Sequence, residues 1–196
     1  MWLVSFVRLR CSCFVMEDHI IDPEKASVLE KDGRYRIVSG EEIMAEVSRG
    51  DVVADIGSGT GFFADDMAKL AEKVYAVDFQ EQMHEYYTEK GVPENVELVN
   101  TDATEFEPDR KPDIAFLITS LHEVHVEETV ENLSSVVREG GELFIVDWSS
   151  NSETDQVPTK EKLLTAEEAS NQVSQHFDVK RCEERYDTYM LKAENT

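Results

Sequence analysis

From residue 52 onward, short apolar runs alternate along the chain with longer stretches in which apolar residues recur at helical spacing. Apolar runs of this length that end in a polar residue predict buried strands, and the stretches between them predict amphipathic helices. The alternation predicts an α/β fold with a doubly wound, mostly parallel sheet. The predicted strands are 52–56, 74–78, 96–103, 113–122 and 140–148, and the predicted helices are 62–70, 80–90 and 127–138.

The segments on either side of this alternation carry further helix signals. Asp and Pro open a predicted short helix at 22–29, and Ser39 resembles the N-cap of a second helix. A polar stretch at 149–160 predicts a loop, after which Thr165 opens a final helix.

These patterns divide the chain into three segments. Residues 1–15 are apolar and basic but too short and too interrupted to span a bilayer, and we interpret them as an upstream extension or a flexible tail. Residues 16–48 are predicted to form an N-terminal helical cap, and 49–196 a single domain.

The strongest local signal is a glycine turn between the first predicted strand and the next helix. Gly57 and Gly59 let the backbone turn sharply and approach a ligand, and Gly61 lets the helix pack close to the strand. A turn of this kind is typical of nucleotide-type ligand sites.

Acidic residues around that turn indicate which ligand it can hold. Asp55 ends the strand, and Asp65 and Asp66 fall in the first turn of the predicted helix. We expect these acids to satisfy the helix end and to repel phosphate, whereas they tolerate a ligand with ammonium and sulfonium groups. The G-x-G-x-G spacing also departs from the dinucleotide pattern G-x-G-x-x-G.

The sequence D-I-G-S-G-T-G at 55–61 resembles the first motif of the class I S-adenosylmethionine-dependent methyltransferases. Later motifs follow in that family's order: a strand ending at Asp78, a strand ending in Asp102 and Ala103, and a Gly-Gly turn at 140–141 before a fifth strand. The string L-H-E-V at 121–124 looks most like the ubiquinone and menaquinone biosynthesis methyltransferases and their small-molecule relatives. The resemblance implies a Rossmann-like sheet of about seven strands that closes in an antiparallel hairpin at 179–193.

The same resemblance implies S-adenosylmethionine as cofactor, with S-adenosylhomocysteine as product. Asp55 and Gly57 would face the methionine portion, Asp78 would accept both ribose hydroxyls, and Asp102 with Ala103 would meet the adenine amine. The full set of implied cofactor contacts is Asp55, Gly57, Ser58, Gly59, Gly61, Asp78, Phe79, Met83, Asp102, Ala103, Thr119 and Leu121.

Several of these contacts have a structural alternative. Asp78 precedes a helical run and would also serve as its N-cap, and Asp102 would also serve as a turn residue. Phe79 and Met83 would pack on the adenine ring, although apolar residues at this spacing also fit a core position.

Chemistry at the methyl acceptor requires a base only if the acceptor keeps its proton. The candidates for catalytic residues are His122, Glu123 and His125 after the fourth strand, Asp147 after the fifth, and Tyr35 in the N-terminal segment, although a solvated loop position is the favoured interpretation of His125. A structural histidine is the alternative for His122, and a surface turn is the alternative for Tyr35, whose neighbour Arg36 would face an acidic acceptor. We expect no metal, because Thr119 and Ser120 supply no carboxylate.

The charge and cysteine content of the chain limit the kinds of substrate and compartment that fit it. The chain has 19 Lys and Arg against 42 Asp and Glu, a formal net charge of −23, which argues against a nucleic-acid substrate. Three cysteines without a C-x-x-C pair indicate neither a disulfide framework nor a zinc site, so a reducing cytoplasm is expected.

The predicted partner is therefore a small-molecule methyl acceptor methylated at carbon or oxygen, with no nucleic acid and no integral membrane segment. A homodimer is possible because the short chain leaves room for a second subunit to complete the acceptor pocket. The alternatives are a non-catalytic cofactor-binding regulatory protein and, less favoured, a protein methyltransferase.

Overall fold

The computed structural model describes residues 29–30, 32–154 and 158–196. The predicted tail at 1–15 and nearly all of the predicted helix at 22–29 lie outside these residues. The described helices are α1 (Gly40–Glu46), α2 (Ala64–Met67), α3 (Glu81–Lys90), α4 (Val126–Val136) and α5 (Ala166–Val173). The strands are β1 (Val52–Ile56), β2 (Lys73–Asp78), β3 (Val96–Asn100), β4 (Ile114–Ile118), β5 (Glu142–Trp148), β6 (Asp178–Glu184) and β7 (Thr188–Glu194).

One seven-stranded sheet organises the described residues, in the order β3-β2-β1-β4-β5-β7-β6. The first five strands in that order are parallel, whereas β7 runs antiparallel to both β5 and β6. The predicted doubly wound, mostly parallel Rossmann-like sheet with an antiparallel C-terminal hairpin is therefore confirmed. Because the strand order reverses between β1 and β4, the crevice at the carboxyl ends of these strands is the expected ligand position.

Both faces of the sheet are covered, because side chains alternate between the two faces along each strand. Phe116 packs on the side of α1, α2 and Tyr87, while its neighbour Leu117 packs on the side of α4 and α5. Strands buried on both faces account for the continuous apolar runs in the sequence.

Helix starts follow the capping signals in the sequence. Ser39 and Glu42 form a reciprocal capping box at the start of α1, and Thr165 and Glu168 form another at the start of α5. Each N-cap side chain stabilises its helix by about 1 kcal/mol.

Two helices are shorter than their sequence pattern. The predicted helix 62–70 has α-helical geometry only at Ala64–Met67, because the turn that leaves Gly61 and the turns after Met67 make tighter hydrogen bonds on either side. The predicted helix 127–138 ends at Val136, since Val137 is extended and the Arg138 N–H turns away to the Pro112 carbonyl.

Across the described residues, every helix is too short or too polar to span a bilayer. Of the three cysteines, Cys11 and Cys13 lie outside the described residues. Cys182 is a free thiol on β6, partly buried, with its sulfur 3.2 Å from the Ala166 carbonyl oxygen.

Candidate active site

A cavity opens at the carboxyl edge of the parallel strands, where β1, β2 and β4 end. Its wall combines carboxylates, small residues and an exposed phenyl ring. It is lined by Ile56, Gly57, Val77, Asp78, Phe79, Gln80, Thr101, Asp102, Ala103, Ser120, Glu123, Val124, His125 and Lys162.

The glycine turn forms one side of this cavity and is fastened to the end of β2. The N–H groups of Gly57 and Ser58 both donate to the Val77 carbonyl, at 2.8 and 3.0 Å. Gly57 has φ +74°, and a Cβ there would stand 2.5 Å from the Cβ of Ser120. The turn can therefore lie this close to β4 only with glycine at position 57.

Gly61 lies below the turn, where its lack of a side chain lets the backbone pack against Tyr87 of α3. Its φ is +78°, and a Cβ would stand 2.0 Å from the ring of Tyr87, which is fully buried on α3. The structure thus places Gly61 against a helix and not on the cavity wall.

Asp78 holds the glycine turn and the approach to α3 together. One carboxylate oxygen accepts the Gly59 N–H at 2.8 Å, and the other accepts the Gln80 N–H at 2.9 Å. Burial raises the pKa of Asp78, although these two N–H donors oppose the shift. Gln80, and not Asp78, is the N-cap residue of α3. Each oxygen keeps a second lone pair for a ligand hydroxyl.

Asp102, Ala103 and Phe79 also reach the wall. Asp102 accepts bonds from the N–H and the hydroxyl of Thr104, at 2.9 and 2.6 Å, so it does act as a turn residue while lining the cavity. Phe79 is 49% exposed, which leaves its ring available to a ligand.

Other predicted cofactor contacts lie behind the wall. Met83 is 1% exposed and packs against Leu29, and Leu121 belongs to the buried core beside α4. Apolar packing accounts for both positions. The Ser58 hydroxyl is buried and, as far as the described residues go, lacks a hydrogen-bond partner.

Both acids lie in the first turn of α2, as predicted, but no side chain caps this helix through a hydrogen bond. Asp65 accepts the Tyr87 hydroxyl at 2.7 Å and pairs with Lys90 at 2.9 Å. Asp66 instead accepts the Tyr35 hydroxyl at 2.9 Å and also binds Lys69. These acids are bound by side chains brought in by other segments, which periodicity does not show.

His122 and Glu123 follow β4 and meet Asp147 from β5. His122 Nδ1 lies 2.7 Å from Asp147 Oδ1, and His122 Nε2 lies 3.8 Å from Glu123 Oε1. Burial alone would lower the pKa of His122, but the hydrogen bond to Asp147 outweighs it and the pKa is raised. Burial raises the pKa of Glu123 to about 7, against the opposing charge of His122.

Arg34 is a site residue that sequence reasoning missed in favour of Tyr35 and Arg36. It lies in a 3-10 helix at Asp32–Arg36, donates to Thr119 Oγ1 at 3.0 Å and stacks its guanidinium 4.6 Å from the centre of the Phe63 ring. The residue is only partly exposed, and desolvation of its guanidinium lowers its pKa against the charges of Asp55, Glu30 and Glu123.

The neighbours of Arg34 point elsewhere. Arg36 is exposed and donates to the Gly33 carbonyl at 3.3 Å, whereas the Tyr35 ring stacks on Phe62 with centroids 4.9 Å apart. The three-residue turn of a 3-10 helix turns one arginine inward and the other outward. No periodicity in so short a segment could have distinguished them.

Asp55 is buried at the end of β1, and burial raises its pKa to about 7 despite the charge of Arg34.

Thr119, at the end of β4, has φ +56°, a left-handed conformation that is rare for a β-branched residue. Lys162 reaches the cavity wall from a 3-10 helix beyond β5, and nothing in the sequence signals it.

Comparisons with known proteins agree with this arrangement. A family model described as "Methyltransferase domain" matches residues 53–141. The chain is 36% identical over 63 residues, 32% of its length, to "Probable ribosomal RNA small subunit methyltransferase A" of Pyrococcus furiosus. It covers 23% of that relative, so it spans about a quarter of the length of such curated relatives.

Solved structures match over a much larger share. A SAM dependent methyltransferase from Aquifex aeolicus is 27% identical with a TM-score of 0.81, covering 90% of this chain and 100% of its own. A structure described as a DhpI-SAH complex is 22% identical with a TM-score of 0.70, covering 87% and 91%, and shares the fold. The family match over residues 53–141, the Aquifex likeness and the sheet together show a methyltransferase domain of the S-adenosylmethionine-dependent kind, for which the cofactor is S-adenosylmethionine.

Proposed function

We propose that this enzyme methylates a small organic molecule at oxygen or carbon. The observation that carries the proposal is that one cavity holds Asp78 and Asp102 on one side and Glu123 on the other. Cofactor-type carboxylates and a candidate base therefore open onto the same space, so a methyl donor and a small acceptor can meet there.

The residues present fit the cofactor. Gly57 gives the close backbone approach, Asp78 keeps lone pairs for ribose hydroxyls, and the Ser58 hydroxyl has no partner among the described residues. Arg34 lies close to Asp55, where a guanidinium suits the carboxylate of the methionine portion.

The charge of the site favours a small acceptor over RNA. As far as the described residues form the cavity wall, Lys162 is its one Lys or Arg, whereas Asp78, Asp102 and Glu123 are carboxylates. A nucleic-acid site needs several Lys and Arg to displace counterions from phosphates. The net charge of −23 points the same way, although the Pyrococcus relative is named for ribosomal RNA.

Methyl transfer from a sulfonium is an in-line displacement with an excellent leaving group. Catalysis can therefore come mainly from orientation of the two reactants in a closed site, with proton removal added where the acceptor needs it. The ubiquinone and menaquinone type of acceptor, which the L-H-E-V string favours, is one small-molecule class that fits this scheme.

The test has a binding arm and a turnover arm. We expect calorimetry to show binding of S-adenosylhomocysteine and none of NAD. Release of S-adenosylhomocysteine from S-adenosylmethionine is then measured with quinols, phenols, small acids and, separately, ribosomal RNA. Turnover on RNA alone would replace the small-molecule proposal. Binding without turnover, together with a cofactor-dependent affinity for a protein, would support the regulatory alternative.

A further inference from the structure

Three linked acid–base side chains, those of His122, Glu123 and Asp147, lie at the ends of β4 and β5 and differ in access to the cavity, whose wall also includes His125. Glu123 lines the wall with a side chain that is 23% exposed. The His122 side chain is 6% exposed and that of Asp147 is 1% exposed, and neither lines the wall. Of these three groups, Glu123 is the one that an acceptor can touch.

The His122 ring is fixed from behind. Asp147 Oδ1 lies 2.7 Å from Nδ1, and Asp147 Oδ2 accepts the His122 backbone N–H at 2.9 Å. The same carboxylate accepts the Trp148 N–H at 2.7 Å. Because the carboxylate is an acceptor, Nδ1 carries a hydrogen, and the remaining nitrogen, Nε2, faces Glu123 and not the open cavity.

We propose that the carboxylate of Glu123 takes the proton from the methyl acceptor, and that His122 is a positioning residue clamped by Asp147. The inference rests on the proposed function and revises the sequence-based preference for histidine as the base. His122 orients the Glu123 carboxylate and supplies an opposing charge, as second-layer groups do at other acid–base sites.

The step balances as a single displacement. The electron pair of the acceptor's O–H or C–H bond forms the new bond to the methyl carbon, and the methyl–sulfur bond breaks to give neutral S-adenosylhomocysteine. The proton passes to Glu123, which becomes a neutral carboxyl and later releases it to solvent. The cofactor's positive charge thus leaves as that proton.

The assignment of Glu123 as the base limits the chemical classes of acceptor that can react. The acceptor must carry a removable proton on the reacting atom, so phenols, enols and activated carbon acids fit. An acceptor that enters as a carboxylate anion does not fit well, because it would face Asp78 and Glu123 together.

The charges around Glu123 set the expected pH dependence. Those that face it are His122, Asp147, Asp78 and Arg34, with Lys162 further along the wall. With its pKa at about 7, Glu123 gains its charge as pH rises through neutrality. Turnover should therefore rise over the same pH range, which gives the pH–rate profile a rising limb. Removing His122 removes an opposing charge, so the limb should move to higher pH.

The first test needs only the protein and S-adenosylhomocysteine. Carboxyl carbon NMR of glutamate-labelled protein should show a carboxyl titrating near pH 7 that is absent from Glu123→Gln and titrates at higher pH in His122→Asn. The control is Glu127→Gln, which changes an exposed residue on α4, and its spectra should still show the carboxyl signal that titrates near pH 7. The same titration without cofactor separates failure of this inference from failure of cofactor binding.

The second test uses whichever acceptor of the phenol and quinol screen gives product. Glu123→Gln should lower kcat about a hundredfold or more with unchanged S-adenosylhomocysteine affinity and lose the rising pH limb. Glu123→Asp, which keeps a carboxyl, should keep the limb at a lower rate. A near-neutral carboxyl titration that persists in Glu123→Gln would overturn the proposal. A rising pH limb that is lost in His122→Asn but kept in Glu123→Gln would also overturn it and would make His122 the base.

Discussion

The two sides of the cavity are built differently. On the side we call the cofactor half, the loops after β1, β2 and β3, polar groups are held by backbone N–H groups: Asp78 by Gly59 and Gln80, and Asp102 by Thr104. On the acceptor half, the loops at the ends of β4 and β5 with the 3-10 helix Asp32–Arg36, side-chain contacts between distant segments are added to backbone donors such as the His122 N–H that binds Asp147. Arg34 and Thr119, for example, are 85 residues apart.

The two halves also reach left-handed backbone by different means. The cofactor half uses glycine at 57, 59 and 61, which adopts positive φ at no steric cost. The acceptor half uses Thr119, which must bear that cost. The cofactor half therefore depends on backbone shape, whereas the acceptor half depends on the Thr119 hydroxyl, which accepts the hydrogen bond from Arg34.

Arg34 connects the halves electrostatically. Burial raises the pKa of both Asp55, in the cofactor half, and Glu123, in the acceptor half, and the charge of Arg34 opposes both shifts. A change in either half can therefore alter the other through this one cation.

The largest expected effect comes from breaking the backbone shape of the cofactor half. Gly61→Ala places a methyl group within the Tyr87 ring at positive φ, so we expect a loss of about 4 kcal/mol in the free energy of unfolding. Urea unfolding measures it. Gly91→Ala, at φ +104° and ψ +117° but with no described atom within 4 Å, is the control for the backbone cost alone and should lose less, about 1 to 3 kcal/mol. Equal losses would show that Tyr87 moves aside.

The next effect tests the charge that joins the halves. The pKa of Asp55 is raised from 3.8 to about 7 in the folded state, so folding takes up a proton between these values. The free energy of unfolding should therefore fall as pH rises from about 4 to about 7, by on the order of 3 kcal/mol for this group. Asp55→Asn should flatten that part of the stability profile. A variant with the wild-type slope would show that Asp55 is ionised throughout.

A third prediction concerns the ligand function of the cofactor half. Asp78→Ala should weaken S-adenosylhomocysteine binding roughly ten- to a hundredfold, because hydrogen bonds to a charged acceptor are lost and the Gly59 N–H is released. Calorimetry gives the affinity. Glu85→Ala, at an exposed position on α3, should bind as the wild type does. Unchanged affinity in Asp78→Ala would reduce this carboxylate to a brace for the turn.

The same contrast explains what the sequence could predict. The strands, the glycine turn and the acids at the ends of β1, β2 and β3 depend on local patterns: continuous apolar runs, positive φ and capping side chains. The starts of α1 and α5 were predictable for that reason, since Ser39 and Thr165 bind N–H groups three residues away.

The acceptor half was less predictable because its contacts are long-range. Nothing near Arg34 in sequence distinguishes it from Arg36, and its partner Thr119 is known only once the chain is folded. The order of exposure among Glu123, His122 and Asp147 is likewise set by how β4 and β5 end side by side. Residue type singled out these three groups but not which of them faces the cavity.

The smallest expected effect isolates the left-handed residue of the acceptor half. Thr119→Ala keeps the positive φ and loses the bond from Arg34, so it should lower the free energy of unfolding by about 1 to 1.5 kcal/mol. Thr119→Gly loses the same bond but relieves the backbone, and should be more stable than Thr119→Ala by roughly 0.5 to 1 kcal/mol. Thr119→Ser keeps the hydroxyl and should lie closest to the wild type. Urea unfolding of the four proteins at one pH measures these differences. If Thr119→Ala matches or exceeds Thr119→Gly in stability, the backbone is not strained at this position, and the contrast between a glycine-built half and a hydroxyl-built half loses its energetic basis.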